Sequence, residues 1–255
     1  MGRRVLTGFA GGAFIAIVTY LGGSIYDFVY FGITCIAIYE LSKVFFGNGF
    51  GYAAIVNYIF AIALFIEKVT EYQHYFDFFL FMLISVNFLI FIFNKKVDVK
   101  KISEVILIGT YPVFFMYHMM LMNNSKFVWL VYIIAFGSDT FAYFTGKFFG
   151  KHKLYPEVSP NKTIEGAIGG IVGSTILTLI YFNYLSINKY FYIIIFSISA
   201  SVFSMAGDLT ASKIKREFKI KDFGYLLPGH GGIMDRFDSV LFVAPAVYYF
   251  ISLFL

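Results

Sequence analysis

The sequence predicts an all-α integral membrane protein: a bundle of about nine transmembrane helices with a polar cavity open to the cytoplasmic side. Composition gives the class, since 59% of the 255 residues are hydrophobic, 14% are charged and the mean hydropathy is +0.77. Apolar runs of roughly 20 residues, the length that crosses the hydrocarbon layer as a helix, recur along the chain. A soluble core does not need such runs, so the main solvent is lipid.

We predict nine spans, in chain order. They are Val5 to Leu21, Ile25 to Phe46, Tyr52 to Ile66, Phe76 to Phe93, Ile102 to Met122, Phe127 to Phe149, Thr163 to Leu185, Tyr190 to Asp208 and Phe237 to Leu255. The third is short, and the second contains Asp27 and Glu40, so a count of eight stays open.

The positions of Lys and Arg predict the orientation, because positive loops stay in the cytoplasm. With the N-terminus inside, nine spans leave only Lys68, Lys126 and Lys189 outside, and 17 of the 20 Lys and Arg fall on the cytoplasmic side. Basic loops facing anionic lipid account for the pI of about 9.0, so no nucleic-acid partner is expected. We predict a multi-pass protein of the cell (inner) membrane whose active site faces the cytoplasm.

The polar chemistry is confined to the second half of the chain. Residues 1–124 are interpreted as scaffold helices with no polar residue that needs a chemical explanation. Residues 125–255 are interpreted as the catalytic region with a cytoplasmic loop over 208–238, and the two parts form one catalytic unit. Small residues at four-residue spacing leave a homodimer open. Cys35 is the only cysteine, which excludes a disulfide within the chain.

Asp139 stands in an otherwise apolar predicted helix, "FGSDTFAYFTGKFFGK". A carboxylate within the membrane is costly and marks a candidate functional site that faces a bundle interior or a wet cavity. A helix-packing hydrogen bond with Ser138 or Thr140 is the alternative.

The stretch "SPNKTIEGAIGGIVGS" predicts a helix capped by Thr163, with two interleaved pairs of glycines as packing faces. Lys162 and Glu165 lie at the predicted cytoplasmic end of that helix. They are candidate polar residues of the site, and a surface ion pair between them is the alternative.

A stripe of small hydroxyls precedes the most polar segment. Ser197, Ser201, Ser204 and Asp208 recur at i, i+4, i+7 and i+11, on one face of a helix. Such hydroxyls usually pack against neighbouring helices. Because the stripe ends in a carboxylate, it also predicts a lined cavity with Asp208 at its mouth.

The segment "SKIKREFKIKDFGYLLPGHGGIMDRFDS" spans 212–239. Its basic residues alone would form a solvated patch beside the membrane, but that interpretation leaves Asp208, Asp235 and Asp238 unexplained. Carboxylates bind hard cations such as Mg²⁺ together with substrate phosphates, and Lys and Arg clamp the remaining phosphate oxygens. Glycines permit a tight turn whose amides can face an anion. These residue types favour phosphoryl or nucleotidyl transfer to a lipid.

The same segment resembles the signature of the phosphatidate cytidylyltransferases, also called CDP-diglyceride synthetases. Its fixed positions are filled by Ser212, Lys215, Arg216, Lys221, Asp222, Pro228, His230, Gly231, Gly232, Asp235, Arg236 and Asp238. The stretches "SDTFAYFTGKFFGK" and "SPNKTIEG" are similar to two further motifs of that family, in the same order. Ala211 and Ile164 depart from it, where Glu and Trp respectively are common.

The resemblance implies transfer of the cytidylyl group of CTP to phosphatidate, giving CDP-diacylglycerol and pyrophosphate in phospholipid biosynthesis. It implies catalytic roles for Asp208, Asp235, Lys215, Arg216 and Asp238. Asp208 and Asp235 would bind Mg²⁺, with Asp238 as a further candidate ligand, and a second, monovalent cation stays open. The implied substrate-binding residues are Lys162, Lys221, His230, Arg236, Ser212, Gly231 and Gly232, with Asp139 and Glu165 as polar supports. His230 is interpreted as a hydrogen-bond donor to phosphate in preference to a proton shuttle.

Two other functions are compatible with parts of this pattern. Another CTP-dependent membrane lipid enzyme, such as a polyprenol kinase or an archaeal-type lipid cytidylyltransferase, would need similar groups. A cation or phosphate transporter would use Asp139 and Asp208 as a path, but transporters commonly have paired inverted repeats. The confinement of the polar residues to one half counts against a transporter.

Overall fold

A computed structural model describes residues 2–70, 75–226, 229 and 231–255, with side chains from residue 8 onward. The described chain is mostly helical, as predicted. Its α-helices are α1 (Gly2–Leu21), α2 (Gly23–Phe46), α3 (Tyr52–Val69), α4 (Phe76–Phe93), α5 (Val99–Ile108), α6 (Phe115–Leu121), α7 (Val128–Phe149), α8 (Ile164–Tyr184), α9 (Tyr190–Glu217) and α10 (Met234–Phe254).

Eight helical runs among the described residues are long and apolar enough to cross a membrane. Helices α5 and α6 form one of them, Val99–Leu121, because a π-helical segment, Gly109–Phe114, joins the two. Pro112 lies in that segment and lacks the N–H that a regular helix needs. The first predicted span is present as α1, but its described apolar part, Gly8–Leu21, is shorter than the other eight. The chain is a multi-pass membrane protein.

Helix α9 corrects one predicted boundary. We expected the span to end at Asp208 and a loop to follow, but the helix continues to Glu217. Hydropathy falls where a helix leaves the bilayer, whereas backbone hydrogen bonding continues into water. Ser212 and Lys215 therefore lie one and two turns beyond Asp208 on the same helix face.

A short hairpin links α7 to α8. Strand β1 (Lys153–Tyr155) pairs antiparallel with β2 (Ser159–Thr163), with Lys153 opposite Thr163. Thr163 ends the hairpin and caps α8 as predicted, since its Oγ1 accepts a hydrogen bond from the Gly166 amide at 3.1 Å. The hairpin and the cap together hold the residue before Thr163, which is Lys162, at the start of α8.

The chain divides into two compact units. The first unit comprises the chain up to Asn124 together with Asp222–Arg236, and the second comprises Ser125–Lys221 and Phe237–Leu255. The segment Asp222–Arg236, which we had predicted as part of the C-terminal region, is thus grouped with the N-terminal helices.

Side-chain hydrogen bonds to backbone oxygens connect the helices of the first unit. Tyr26 on α2 donates through its hydroxyl to the carbonyl of Met119 on α6 at 3.0 Å. Asn57 on α3 donates to the carbonyl of Val105 on α5 at 3.1 Å. Tyr26 and Asn57 are both buried, so each bond removes a polar cost from an otherwise apolar core.

Helices α7 and α8 of the second unit pack through glycines, as the sequence predicts. A Cβ on Gly166 would lie 2.8 Å from the carbonyl oxygen of Ala142, and one on Gly170 would lie 2.8 Å from that of Ser138. Larger side chains would therefore push the two helices apart. This close approach sets the position of the α7 turn that contains Asp139.

Candidate active site

Three aspartates from three helices form what we call the carboxylate cluster: Asp139 on α7, Asp208 on α9 and Asp238 on α10. The three carboxylates lie close enough for their charges to interact. Asp139 is exposed and the other two are partly exposed, whereas the neighbouring Ser138 and Ser204 are fully buried. The three carboxylates are therefore accessible at the surface of the second unit, whereas the serines next to them are not. The cavity expected at Asp139 and Asp208 stays a prediction.

Lys162 neutralises part of this negative charge. Its ammonium forms an ion pair with Oδ2 of Asp208, and both side chains are 26% exposed. The expected alternative, a surface pair between Lys162 and Glu165, is wrong, because β2 directs Lys162 toward α9 instead. The Lys215 ammonium also interacts with the charge of Asp238. Two cations thus stand beside three carboxylates.

Two hydroxyls complete the cluster. Ser212 Oγ donates to Asp208 Oδ1 at 3.3 Å, and Ser239 Oγ donates to Asp139 Oδ2 at 3.3 Å. The alternative for Asp139, a bond with its helix neighbours Ser138 or Thr140, is not what the described residues form. Both bonds are long, so they orient the carboxylates without occupying them strongly.

Gly207 lets α9 approach α10 beside the cluster. A Cβ at this position would lie 3.2 Å from the carbonyl carbon of Asp238, 3.1 Å from Cδ2 of Phe242, and closer still to the carbonyl oxygen of Asp238. Only a glycine leaves room for that backbone contact. The next residue of α9 is Asp208, so the contact brings the carboxylates of Asp208 and Asp238 together.

The serine stripe of α9 serves packing in its buried part. The Ser201 hydroxyl lies 2.5 Å from the hydroxyl of Ser174 on α8, and Ser197 donates to its own helix backbone at Ile193. The three serines of the α9 stripe, Ser197, Ser201 and Ser204, are fully buried. The stripe therefore joins α8 to α9 and reaches solvent only at Asp208.

Glu165 is engaged away from the cluster. Its Oε2 accepts hydrogen bonds from the amides of Lys151 and His152, at 3.1 and 3.2 Å. Its Oε1 lies 2.6 Å from the Nδ1 atom of His152. Glu165 thus ties the first turn of α8 to the chain that leaves α7. Sequence reasoning did not single out His152, because no spacing links it to the motifs.

The remaining basic residues of the predicted site differ in their surroundings. Arg216 donates through Nε to the carbonyl of Val158 at 3.3 Å, which joins the end of α9 to the hairpin. Lys221 and Arg236 are exposed. His230 and Pro228 lie outside the described residues.

The other predicted metal ligand, Asp235, belongs to the first unit, where backbone amides hold it. Its Oδ2 accepts from the amide of Phe223 at 2.8 Å and from that of Gly232 at 3.0 Å, and the residue is 8% exposed. Gly231 has a φ of +83°, a conformation that favours glycine, and a Cβ there would lie 2.7 Å from the same carboxylate oxygen. Gly231 and Gly232, the described glycines next to this acid, thus pack closely against Asp235.

Sequence reasoning missed Glu40. This residue of α2 is 3% exposed, and its carboxylate accepts hydrogen bonds from the amides of Ile233 and Met234 at the start of α10. The prediction that the first half contains no polar residue in need of a chemical explanation is therefore wrong. A carboxylate inside an apolar run was the available signal, as it was for Asp139.

The donor chemistry of these residues fits Mg²⁺. Every candidate ligand supplies carboxylate oxygen, which hard divalent cations prefer. Among the described residues, no three His, Cys, Asp or Glu side chains are arranged to hold a metal ion by themselves. A ready-made set of three is not required, because Mg²⁺ is usually held by one or two carboxylates plus substrate phosphates.

Comparison with known proteins points to the same chemistry. The model of the cytidylyltransferase family matches residues 2–254. A phosphatidate cytidylyltransferase of Bacillus subtilis (strain 168) is 45% identical over 129 residues, which are 50% of this chain and 48% of that protein. Phosphatidate cytidylyltransferases of Staphylococcus aureus (strain COL) and Staphylococcus saprophyticus are 45% and 43% identical over 124 residues, 48% of either chain.

The matched part thus spans about half the length of these curated relatives. The family model, in contrast, extends over nearly the whole chain, from the first helix to the last. The chain therefore belongs to the cytidylyltransferase family.

Proposed function

We propose that the protein transfers the cytidylyl group of CTP to phosphatidate, giving CDP-diacylglycerol and pyrophosphate. The observation that carries the proposal is the carboxylate cluster with Lys162 paired to Asp208 and Lys215 beside Asp238. Apart from Asp208, which lies just before the signature segment, these residues come from all three motifs that resemble the phosphatidate cytidylyltransferases. The names of the matched relatives support the same substrate class.

The reaction asks for positioning more than for proton transfer. A phosphate oxygen of phosphatidate attacks the α-phosphorus of CTP, and the new P–O bond forms as the bond to the β-phosphate oxygen breaks. Pyrophosphate leaves with that electron pair. The attacking phosphate is already an anion, so no strong general base is needed. The obstacle is the repulsion between two highly charged groups.

The basic residues of the second unit address that repulsion. Lys162 and Lys215 stand beside the cluster and would contact phosphate oxygens of the two substrates, where charge builds up as pyrophosphate departs. Arg216 is held by the hairpin backbone through Nε, which leaves the other guanidinium nitrogens to bind phosphate. Further contacts to the substrate phosphates are proposed for residues of the signature segment. They are Ser212, Lys221, His230, Arg236 and the amides of Gly231 and Gly232.

We propose Asp208, Asp235 and Asp238 as the residues that would hold Mg²⁺, with Asp139 as a polar support. The metal ion would supply charge neutralisation at the attacking and leaving oxygens. Ser212 and the backbone amides at Asp235 orient these carboxylates.

We further propose that the protein resides in the cell membrane with its N-terminus and its active site on the cytoplasmic side. The Lys and Arg distribution supports that orientation, and CTP is a cytoplasmic substrate. Phosphatidate would enter from the lipid, with its headgroup at the interface. A homodimer stays a prediction from the small-residue spacing.

The test is pyrophosphate release by the purified protein in detergent, with CTP, Mg²⁺ and short-chain phosphatidate. We expect release that requires all three, and a loss of about 10³-fold in Asp208→Asn, because the substitution removes both the Lys162 partner and a metal ligand. Glu157→Gln is the matched control, since Glu157 is an exposed acid of the nearby hairpin.

Two results would contradict the proposal. Turnover of CTP with a polyprenol but not with phosphatidate would indicate the related kinase chemistry. A folded protein that turns over CTP with neither lipid would indicate a transporter, which flux measurements in vesicles would then identify.

A further inference from the structure

We infer that Glu40, a residue of α2 outside all three motifs, is a positioning residue for part of the signature segment. It holds the backbone at Phe223, Gly224 and residues 232–234, which we call the glycine turn, and through that turn it positions Asp235. The bonding in the first unit carries this inference. Its consequence for catalysis rests on the function proposed above.

Both carboxylate oxygens of Glu40 are committed to one short stretch of backbone. Oε1 accepts from the Ile233 amide at 3.0 Å, and Oε2 accepts from the Met234 amide at 2.9 Å. These amides stand at the start of α10, where a helix has no internal acceptors for its first N–H groups. Glu40 is 3% exposed, so water does not compete for either bond.

Two glycines make room for the Glu40 carboxylate. A Cβ on Gly224 would lie 2.9 Å from Cδ of Glu40, and one on Gly232 would lie 2.5 Å from the same atom. Gly224 and Gly232 therefore both pack against a single side chain from another part of the sequence.

Asp235 depends on the same stretch of backbone. Its Oδ2 accepts from the amides of Phe223 and Gly232, at 2.8 and 3.0 Å. Phe223 directly precedes Gly224, and Gly232 itself packs against Glu40. Asp235 thus accepts hydrogen bonds from two backbone amides and Glu40 from two others. If Glu40 releases its pair, the backbone that orients Asp235 loses its support.

A simple helix cap would stabilise α10 without further effect, whereas a positioning residue changes how Asp235 functions. Glu40→Gln separates the two roles, because the amide side chain has nearly the same shape but has one NH2 group in place of an acceptor oxygen. Each of the two amides now faces an acceptor, and in the variant one of them faces a donor. We therefore expect the turn to loosen while the apolar packing of α2 stays intact.

The experiment measures hydrogen exchange by mass spectrometry on the full-length protein in detergent, without substrates. In Glu40→Gln we expect the amides of Phe223 and of residues 232–234 to exchange about 10- to 100-fold faster. The control is Glu67→Gln, because Glu67 of α3 is equally buried at 3% and accepts from the Tyr75 amide at 3.0 Å. In the control, exchange at the turn should match the wild type.

Turnover provides the second readout. In Glu40→Gln we expect the Mg²⁺ concentration for half-maximal activity to rise about tenfold and kcat to fall, with a smaller change in KM for CTP. Glu40→Asp keeps the charge and should recover part of the loss. Unchanged exchange at the turn, or faster exchange with Mg²⁺ dependence and kcat unchanged, would overturn the inference.

Gly232→Ala approaches the same contact from the turn. Its methyl group would meet the Glu40 carboxylate, so it should reproduce both effects, and the double variant should be no worse than the more impaired single one. If Glu40→Gln does not fold, Gly232→Ala decides alone: wild-type exchange at the turn contradicts the inference. Because exchange is measured without substrates, it tests the turn even if the wild type proves inactive toward phosphatidate.

Discussion

Glu40 and Asp235 in the first unit are bonded differently from the carboxylate cluster of the second unit. In the first unit, Glu40 and Asp235 accept hydrogen bonds from backbone amides, two for each side chain. In the second unit, the charges of Asp139, Asp208 and Asp238 interact with one another and with lysines. Asp208 and Asp139 also accept long hydrogen bonds from serine hydroxyls. The first set holds backbone in place. The second set is balanced by the charges of Lys162 and Lys215.

This difference shows how one residue type serves two purposes in a membrane protein. A buried carboxylate that accepts two amides satisfies its own charge and those amides at once, so it contributes order. Carboxylates that face each other repel unless cations stand between them, so they contribute affinity for cations. Asp235 is the informative case, because it is held like the first set but is proposed to act like the second.

Among the variants that test this comparison, the largest effect should come from Asp235→Asn. Asn can still offer one oxygen to the amides of Phe223 and Gly232, so the turn should keep most of its protection from hydrogen exchange. The loss of charge should nevertheless lower pyrophosphate release about 10²- to 10³-fold. If protection from exchange and activity are lost together, as we expect for Glu40→Gln, then Asp235 acts only on the backbone and the two sets are more distinct than we propose.

A smaller effect is expected for Lys162→Met, which keeps the aliphatic length but removes the ammonium paired with Asp208. We expect kcat/KM for CTP to fall about 10²-fold, because a phosphate contact and the neutralisation of Asp208 are both lost. Lys153→Met is the control, since Lys153 lies in the same hairpin and donates to the Pro160 carbonyl at 2.6 Å. Equal losses in the two variants would show that the hairpin, not the Asp208 pair, matters.

The smallest effect concerns the helix contact beneath the cluster. Gly207→Ala places a methyl group against the Asp238 carbonyl and should destabilise the protein by about 1–3 kcal/mol, with a moderate loss of activity. Thermal unfolding in detergent measures the change. In Gly32→Ala, where a Cβ meets nothing within 4 Å, the Tm should not fall. A normal Tm for Gly207→Ala would mean that α9 and α10 tolerate a wider separation.

Much of the fold could be predicted because each membrane-spanning helix corresponds to one continuous apolar run in the sequence. The fourth predicted span, Phe76 to Phe93, coincides with α4. The glycines of α8 pack as their spacing indicates. The predicted end of the eighth span, which is α9, was wrong because the apolar character stops at Asp208 while the helix continues to Glu217. The hairpin before α8 was not predicted, since its strands are short and polar.

The candidate site was predictable in its chemistry but not in its pairings. Motif spacing identified Asp208 and Lys162 as site residues, yet it suggested Glu165 as a partner for Lys162. The sequence is compatible with either Asp208 or Glu165 as the partner of Lys162. The turn of the chain through β2 selects Asp208, and Glu165 binds Lys151 and His152 instead.

Span length, composition and motif spacing are properties of neighbouring residues, so they are enough to identify a multi-pass membrane protein of the cytidylyltransferase family. The groups that neutralise or hold the acids become visible only when the helices are packed together. Glu40 and the Ile233 amide are 193 positions apart in the chain and meet at 3.0 Å. No local pattern encodes such a contact, since it exists only after the helices pack and exclude water from a buried charge.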